Sequence, residues 1–284
     1  MSVNVLVTGA NGQLAKTIQK LYKTNKDDIC FTFVTKLELD ITVPNEVKKY
    51  FKNNLVDYCI NCAAYTNVEQ AEKTPEPAFK VNAEGIKNIA EACKETNTVL
   101  IHISTDYVFD GEKESPYLED DIPNPINEYG KSKLLGEQHI QKQLQQYFII
   151  RTSWLYSNFG KNFFKTVVKN INEHKDLKII TTQKGAPTST YSLAKFIYFL
   201  VGNKITNYGV FHFSDKDIVS WYDFSKIIVS NHDKSRLKLL SSTNISTSKA
   251  QRPKYSALNN TKRLKIFKKE VLLSNSIKEL LSLL

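Results

Sequence analysis

The sequence has little of what marks disulfide-stabilised or metal-binding proteins. Its 284 residues include only four cysteines, Cys30, Cys59, Cys62 and Cys93. Cys59 and Cys62 fall in VDYCINCAAY, an apolar stretch that predicts a buried strand, so both are expected to be core residues rather than a redox pair or zinc ligands. The sequence therefore predicts free thiols in a reducing compartment.

Long apolar segments are missing too. No run approaches the roughly 20 residues that span a bilayer, and the start, MSVNVLVTGANGQ, lacks the basic and apolar regions of a secretory signal. These absences predict a cytoplasmic protein with no membrane contact. The net charge is +10, but the lysines are scattered along the chain, which favours an anionic small substrate over nucleic acid.

Short apolar runs alternate with helical patterns through the first half. Strands are predicted at 3–8, 29–34, 57–63, 98–104 and 147–153, and helices after the first strand, at 45–53, at about 77–95 and around 129. This alternation predicts an α/β fold, a doubly wound Rossmann-type parallel sheet whose ligand crevice lies beyond the carboxyl ends of the strands.

The second half is less regular. Strand patterns occur at 177–182 and 210–213, and helical patterns at 191–201, 221–231 and 271–284. We predict a dinucleotide-binding Rossmann domain at 1–150 and a smaller C-terminal lobe at 151–284, mainly substrate-binding, from which segments can return to the first domain.

The first strand-to-helix junction carries a glycine-rich loop, VTGANGQLA. Gly9 and Gly12 let the backbone turn tightly and approach a pyrophosphate, and Ala15 permits close packing of helix on sheet. The N-terminus of the following helix offers N–H donors to the same phosphates. Because the loop follows the first strand and opens a helix, it predicts dinucleotide binding rather than a plain turn.

The end of the second strand bears on the choice of cofactor. An acidic residue there would bind the ribose 2′-hydroxyl of NAD, but this strand ends in FVTK, with Thr35 and Lys36. A hydroxyl and an ammonium suit a 2′-phosphate better. The sequence thus favours NADPH, with NADH as the alternative if Lys36 is only a solvated loop lysine.

Tyr129 and Lys133 lie four positions apart, on one face of a predicted helix. Thr105 follows a predicted strand, at the same edge of the sheet. Reducing a ketone needs a hydride from a nicotinamide and a proton for the forming alkoxide. We therefore predict Tyr129 as the proton donor, Lys133 as the group that lowers its pKa, and Thr105 as the hydroxyl that polarises the carbonyl.

Several motifs occur in the order typical of one family. They are TGANGQL, INCAAYTNVEQAE, HISTDYVFDG, PNPINEYGKSKLLGE, IIRTSWLYS and AQRPKYSALN. Over nearly its whole length the chain resembles the dTDP-4-dehydrorhamnose reductases, which belong to the extended short-chain dehydrogenase/reductase superfamily. The resemblance implies that NADPH reduces the 4-keto group of dTDP-4-dehydro-L-rhamnose to give dTDP-L-rhamnose, with Thr105, Tyr129 and Lys133 as catalytic residues.

The same resemblance implies two sets of binding residues. The cofactor set comprises Gly9, Asn11, Gly12, Gln13, Leu14, Lys36, Asp40, Ala63, Ala64, Tyr65, Asn82, Tyr129 and Lys133. The set for the dTDP-sugar comprises Thr105, Val108, Trp154, Asn162 and Arg252. Asn162 and Arg252 are the candidates for the diphosphate. Plainer roles also fit some members: core packing for Trp154, a backbone-satisfied amide for Asn82 and an exposed loop for Arg252.

Some relatives hold magnesium between subunits through an acidic residue of the first helix. Here that helix reads AKTIQK, without a carboxylate, so no metal is expected, and a homodimer is left open.

Two other functions also fit the motifs. One is an NADP-binding regulatory subunit of the methionine adenosyltransferase type, and the other is a reductase of a different 4-keto-6-deoxy sugar nucleotide.

Overall fold

A six-stranded parallel sheet with helices on both faces organises the chain, and a smaller helical lobe adjoins its carboxyl edge. The computed structural model describes residues 2–24, 28–232, 239–243 and 248–284. Among these residues no helix is both long and apolar enough to cross a membrane.

The described elements follow the alternation that the sequence predicts. The strands are β1 Val3–Thr8, β2 Ile29–Val34, β3 Tyr58–Asn61, β4 Val99–Thr105, β5 Tyr147–Thr152, β6 Leu155–Tyr156, β7 Leu177–Ile180, β8 Lys184–Gly185, β9 Thr188–Ser189, β10 Gly209–Phe213, β11 Val219–Ser220 and β12 Leu239–Ser242. The α-helices are α1 Gln13–Tyr22, α2 Pro44–Asn53, α3 Val68–Lys73, α4 Glu76–Phe79, α5 Gly85–Thr96, α6 Glu128–Gln143, α7 Phe163–Asn172, α8 Thr190–Gly202, α9 Trp221–Ser230, α10 Thr261–Ile266 and α11 Leu273–Leu281.

The large sheet has the order β2-β1-β3-β4-β5-β10, and every neighbouring pair is parallel. Strand order reverses between β1 and β3, which is where doubly wound sheets bind ligands beyond their carboxyl ends. The predicted doubly wound α/β fold is confirmed. Its last strand, β10, comes from the second half of the chain.

Both faces of the sheet are covered, so the strands read as almost continuous apolar runs. Successive residues point to opposite layers: Val5 and Val7 pack with α1 and α8, whereas Leu6 packs with α2, α5 and α6. A third cluster forms the core of the lobe from α7, α9 and α11. The apolar face of the last helix, including Leu273 and Ile277, is completely buried in that cluster.

The helix predicted at about 77–95 is interrupted. Between α4 and α5 lies a π-helical segment, Lys80–Glu84. Gly136 of α6 packs against this segment so closely that a Cβ atom there would lie 2.2 Å from the Asn82 carbonyl oxygen. A π-helical turn widens the backbone and often marks a functional site, and this one presents Asn82 to the loop after β3.

The contact at Gly136 leads to a stability prediction. Alanine normally stabilises a helix interior relative to glycine by roughly 0.5–1 kcal/mol, but Gly136→Ala drives a methyl group into a backbone carbonyl. We expect the free energy of unfolding to fall by about 1–3 kcal/mol, measured by urea denaturation. Gly202→Ala, where the added carbon would meet only side-chain atoms at 3.8 Å, is the matched control and should be neutral or stabilising. Equal effects of the two substitutions would contradict the tight contact.

Candidate active site

A cavity of about 640 Å³ lies beyond the carboxyl ends of the central strands. Each of β1, β3, β4 and β5 leads into one part of its wall. The wall consists of Asn11, Gly12, Gln13, Leu14, Cys62, Ala64, Thr66, Val68, Ile103, Ser104, Thr105, Asp106, Tyr107, Tyr129, Lys133, Thr152, Ser153, Trp154, Leu155, Tyr156, Gly160, Lys161, Asn162, Phe163 and Trp221. The structure therefore brings the glycine loop, the predicted catalytic residues and the lobe to one place.

The glycine loop is shaped for a phosphate. Gly9 has a φ of +66°, and a Cβ atom there would lie 2.6 Å from the Ala63 backbone nitrogen. Gly12 is the N-cap of α1, so no side chain caps the helix, and its first turn has no acidic residue. The first N–H groups of α1 thus remain available as donors to an anion. This arrangement fits the diphosphate of a dinucleotide.

Gln13 connects that loop with the lobe. Its Nε2 donates to the Leu155 carbonyl at 3.2 Å, and its Oε1 accepts from Ser157 and Asn162 at 3.1 and 3.2 Å. Asn162 also caps α7, where its Oδ1 accepts from the Lys165 N–H. Both amides line the cavity, and they fix the lobe against the predicted cofactor loop.

The N-terminus of α6 places Tyr129 in the cavity. Asn127 caps this helix by accepting from the Gly130 N–H at 2.8 Å, and Tyr129 lies in the first turn. Burial raises the pKa of Tyr129 to about 12, against a smaller lowering by its hydrogen bond with Thr105. The phenol is therefore protonated at neutral pH and lies beside the Thr105 hydroxyl.

Lys133 differs from the sequence-based expectation. Its Nζ donates to the Ile103 carbonyl at 2.7 Å and lies 3.2 Å from His102 Nε2. Burial lowers the pKa of Lys133 to about 8, although the Glu137 carboxylate acts in the opposite direction. The expected lowering of the Tyr129 pKa is not seen: burial raises that pKa, and the Lys133 amine is bonded to the end of β4.

Asp106 is a residue of the cavity wall that the sequence analysis missed. The carboxyl group is buried, its Oδ1 accepts from Thr105 Oγ1 at 3.1 Å, and its Oδ2 has no partner of good hydrogen-bond geometry among the described residues. Burial raises the pKa of Asp106 to about 7, against smaller lowerings by the Ser256 and Thr105 hydroxyls. Its place directly after Thr105, at the end of a predicted strand, was the available signal. An unpartnered buried acceptor suits a hydroxylated ligand such as a sugar.

The pair Cys59 and Cys62 is divided between core and cavity. Cys59 lies in β3 and is completely buried, as predicted. Cys62 comes one residue after the strand ends and lines the cavity, so the expectation that it is a core residue was only partly right. All four cysteines are free thiols. Among the described residues no three His, Cys, Asp or Glu side chains are grouped closely enough to hold a metal ion.

The π-helical segment supports the loop after β3. Asn82 Oδ1 accepts from the Tyr65 N–H at 2.9 Å, while Nδ2 donates to the Tyr65 carbonyl and to Ser132 Oγ, both at 3.0 Å. Ala64 in that loop lines the cavity. The completely buried Asn82 therefore holds the loop from behind and joins it to α6.

The end of β2 lies apart from the cavity wall. The Lys36 ammonium is 3.5 Å from the Asp40 carboxylate, and its side chain is 77% exposed. Glu38, which the sequence analysis did not single out, accepts from Thr35 N and Thr35 Oγ1 at 2.7 and 2.8 Å. The predicted hydroxyl and ammonium are thus present together with two carboxylates.

The residues predicted for the sugar nucleotide divide into two groups, and Thr105, Trp154 and Asn162 form the one that lines the cavity. Trp154 lines the cavity with a φ of +47° and stacks on Trp221, with ring centroids 3.6 Å apart. Trp221 comes from α9 of the lobe and was missed because the sequence shows no link between the two tryptophans.

Val108 and Arg252 lie outside the cavity wall. Val108 is completely buried among Phe109, Tyr117 and Leu258, so its side chain supports the wall instead of lining it as predicted. Arg252 pairs with Glu69, at 3.2 Å between Nη2 and Oε1. Arg252 also lies beside Tyr107, where it opposes the raising of the tyrosine pKa by burial, and Tyr107 lines the cavity.

Comparison with known proteins identifies the family. The family model described as RmlD substrate binding domain matches residues 3–282. The chain belongs to this family. A dTDP-4-dehydrorhamnose reductase of Aggregatibacter actinomycetemcomitans is 37% identical over 228 residues, which cover 78% of this chain and 76% of that protein.

Two further members of the family have names that state a cofactor or a substrate. The crystal structure of dTDP-4-dehydrorhamnose reductase from Bacillus anthracis in complex with NADP has a TM-score of 0.95 and 35% identity, covering 100% of both chains. A dTDP-4-keto-6-deoxy-D-glucose reductase of Streptomyces niveus is 33% identical over 89% of this chain and 87% of that protein. The predicted family membership and NADP-dependent reductase class are confirmed.

Asp106 gives a pH-dependent stability prediction. Because its folded pKa is raised, the native state binds more protons than the unfolded chain between about pH 4 and 7, so this carboxyl lowers stability progressively as pH rises through that window. Asp106→Asn removes the effect. Its stability relative to wild type should therefore rise by about 2–4 kcal/mol from pH 4 to 7 and then level off.

Asp110→Asn is the matched control for that measurement. Hydrogen bonds from the Glu112 N–H and the Tyr117 hydroxyl lower the pKa of Asp110, so this substitution should lose stability relative to wild type as pH rises through the acidic range. Urea denaturation across pH measures both variants. A constant difference between Asp106→Asn and wild type would contradict the buried, ionisable carboxyl.

Proposed function

We propose that this chain uses NADPH to reduce the 4-keto group of dTDP-4-dehydro-L-rhamnose, giving dTDP-L-rhamnose. The observation that carries the proposal is the convergence of Thr105, Tyr129 and Lys133 with the glycine loop in one cavity, in a chain whose relatives carry this activity in their names. The comparison with the NADP-bound reductase supports NADPH as the cofactor.

The proposed chemistry divides between cofactor and protein. NADPH supplies the hydride when it is bound. Tyr129, protonated because of its raised pKa, gives its phenolic proton to the forming alkoxide, and the Thr105 hydroxyl orients the carbonyl beside it. Lys133 completes the group from the next turn of α6, where it would contact the nicotinamide ribose.

The binding roles follow the geometry of the wall. Gly9, Asn11, Gly12, Gln13 and Leu14 would hold the cofactor diphosphate at the N-terminus of α1, and Ala63, Ala64 and Tyr65 would border the cofactor on the loop that Asn82 supports. Lys36 and Asp40 would meet the adenosine end.

On the substrate side, Asp106 and Trp154 would contact the sugar. Asn162 and Arg252 are proposed to bind the diphosphate. Arg252 would have to release Glu69, its present ion-pair partner, to do so. The cytoplasmic location, the absence of a metal and a homodimer stay predictions from the sequence.

A related substrate is the second candidate. A relative that is 33% identical is named for dTDP-4-keto-6-deoxy-D-glucose, which also carries a 4-keto group but differs in ring stereochemistry. The cavity chemistry suits both. Comparing kcat/KM for the two sugar nucleotides, each prepared freshly, distinguishes them.

Tyr129→Phe should lower kcat by roughly 10²–10⁴-fold, the usual contribution of a positioned general acid. NADP⁺ binding should persist, since the aromatic ring remains. The assay follows loss of NADPH absorbance with dTDP-4-dehydro-L-rhamnose. Tyr22→Phe, at a half-buried tyrosine of α1 stacked on Tyr198, is the matched control and should keep wild-type rates. No turnover by wild type would refute the reductase, and full activity of Tyr129→Phe would refute the assigned acid.

Lys36→Ala tests the preference for NADPH. Removing a charge-assisted contact to the 2′-phosphate should lower the ratio of kcat/KM for NADPH over NADH by about 5- to 20-fold. Lys48→Ala, at an exposed lysine of α2 that pairs with Glu95, should leave this ratio unchanged. If both variants keep the wild-type ratio, Lys36 is a solvated loop lysine.

A further inference from the structure

A chain of buried polar side chains lies beneath the cavity and ends at Lys133. Thr8 of β1 donates to Asn61 Oδ1 at 2.6 Å, and Asn61 Nδ2 of β3 lies 3.1 Å from His102 Nδ1 of β4. His102 Nε2 is 3.2 Å from Lys133 Nζ. Thr8, Asn61, His102 and Lys133 are at most 2% exposed, so their hydrogen atoms must be arranged without help from bulk water.

The Ala63 carbonyl sets the direction of this chain. It lies 3.2 Å from Asn61 Nδ2 and can only accept, so the amide nitrogen of Asn61 must face it. The same NH₂ group faces His102 Nδ1, which therefore accepts. Burial lowers the pKa of His102 well below its usual value. The neutral ring then carries its proton on Nε2.

The tautomer of His102 bears on the protonation state of the Lys133 amine. An Nε2–H group pointing at an ammonium would set donor against donor, because an ammonium has no lone pair. An uncharged amine resolves the conflict: it accepts from His102 Nε2 and donates its own N–H to the Ile103 carbonyl at 2.7 Å. In this pattern every contact along the chain joins a donor to an acceptor.

We propose that His102 is a positioning residue that favours the uncharged amine of Lys133 before the cofactor binds, so that at pH 8 and above cofactor binding takes up a proton at Lys133. The proton comes from solvent and converts the amine to an ammonium; no other bond changes. This inference rests on the proposed function only in naming NADP as the ligand whose ribose hydroxyls and phosphates favour the charged form.

The other groups around Lys133 stay unchanged in the pH range of the test. Cys62, from the loop after β3, has a thiol pKa raised by burial, and Tyr129, one turn before Lys133 on α6, titrates at about 12. Glu137, one turn after it, is paired with Arg151 of β5 at 2.7 Å. Asp106, in the 3₁₀ turn after β4, titrates at about 7. Lys133 is therefore the group whose pKa lies inside the pH range of the test, and variants separate its proton uptake from that of its neighbours.

Isothermal titration calorimetry measures the uptake directly. NADP⁺ is titrated into the full chain at pH 8 in phosphate and in Tris, whose ionisation enthalpies differ, and the difference in binding heat gives the proton count. With a Lys133 pKa of about 8, we expect about half a proton or more per NADP⁺ bound, and a roughly fivefold loss of affinity from pH 8 to 9. Binding without proton uptake would overturn the proposal.

Three variants locate the proton. Lys133→Met should abolish the uptake, and persistent uptake would place the proton elsewhere and overturn the proposal. His102→Gln offers an amide oxygen that accepts from an ammonium, so uptake should fall by at least half while NADP⁺ still binds; unchanged uptake would overturn the role of His102. His139→Gln makes the same change on α6, at a partly exposed site, and should keep wild-type uptake.

The histidine tautomer supplies a readout that needs no ligand. Long-range ¹H–¹⁵N correlation resolves the five histidines, and the signal lost in His102→Gln is that of His102. A neutral ring protonated at Nε2 is expected from pH 6 to 9, whereas an Nδ1–H tautomer or an imidazolium would overturn the proposal. If NADP⁺ failed to bind at all, the proposed function would fail, and the tautomer would still decide this inference.

Discussion

The ion pair between Glu137 and Arg151 is the interaction on which the candidate site depends. Arg151 of β5 binds both carboxylate oxygens of Glu137 on α6, and Ser104 of β4 donates to the same carboxylate. The guanidinium also lies 5.1 Å from the centre of the Phe109 ring. Both charged groups are almost completely buried, and removing one partner of such a pair typically costs about 3–5 kcal/mol.

What this pair secures is the position of α6. The helix carries Tyr129 and Lys133 on the turns before Glu137, so a shift of α6 along the sheet would move both. The opposite side of α6 is fixed by shape: Gly136 touches the backbone of the π-helical segment, and Ser132 binds the Asn82 amide. The buried ion pair on one side and the close backbone contact on the other together fix the position of α6 on the sheet.

Much of this arrangement could be predicted from the sequence, because it depends on local signals. The apolar strands, the glycine loop and the spacing of Tyr129 and Lys133 each show in a few consecutive letters. What the sequence could not supply were contacts made across the fold. His102 appears as one more residue of an apolar strand, and only strand order places it between Asn61 and Lys133.

Long-range packing explains the other differences as well. The stacking of Trp154 on Trp221 joins two segments that have no common pattern. Val108 faces inward because Phe109, Tyr117 and the distant Leu258 pack around it. Each of these outcomes is decided by which neighbours the topology brings near.

The electrostatics of the cavity follow from the same topology. Three ionisable side chains, Asp106, Tyr129 and Lys133, are buried where burial disfavours their charged forms. None of them is paired with an oppositely charged side chain at hydrogen-bond distance among the described residues, in contrast to Glu137. Burying them this way weakens the ligand-free protein but leaves each group able to change its proton or its partner when a charged ligand enters. The buried ion pair keeps the scaffold fixed, and the unpaired groups beside it are where protons can move.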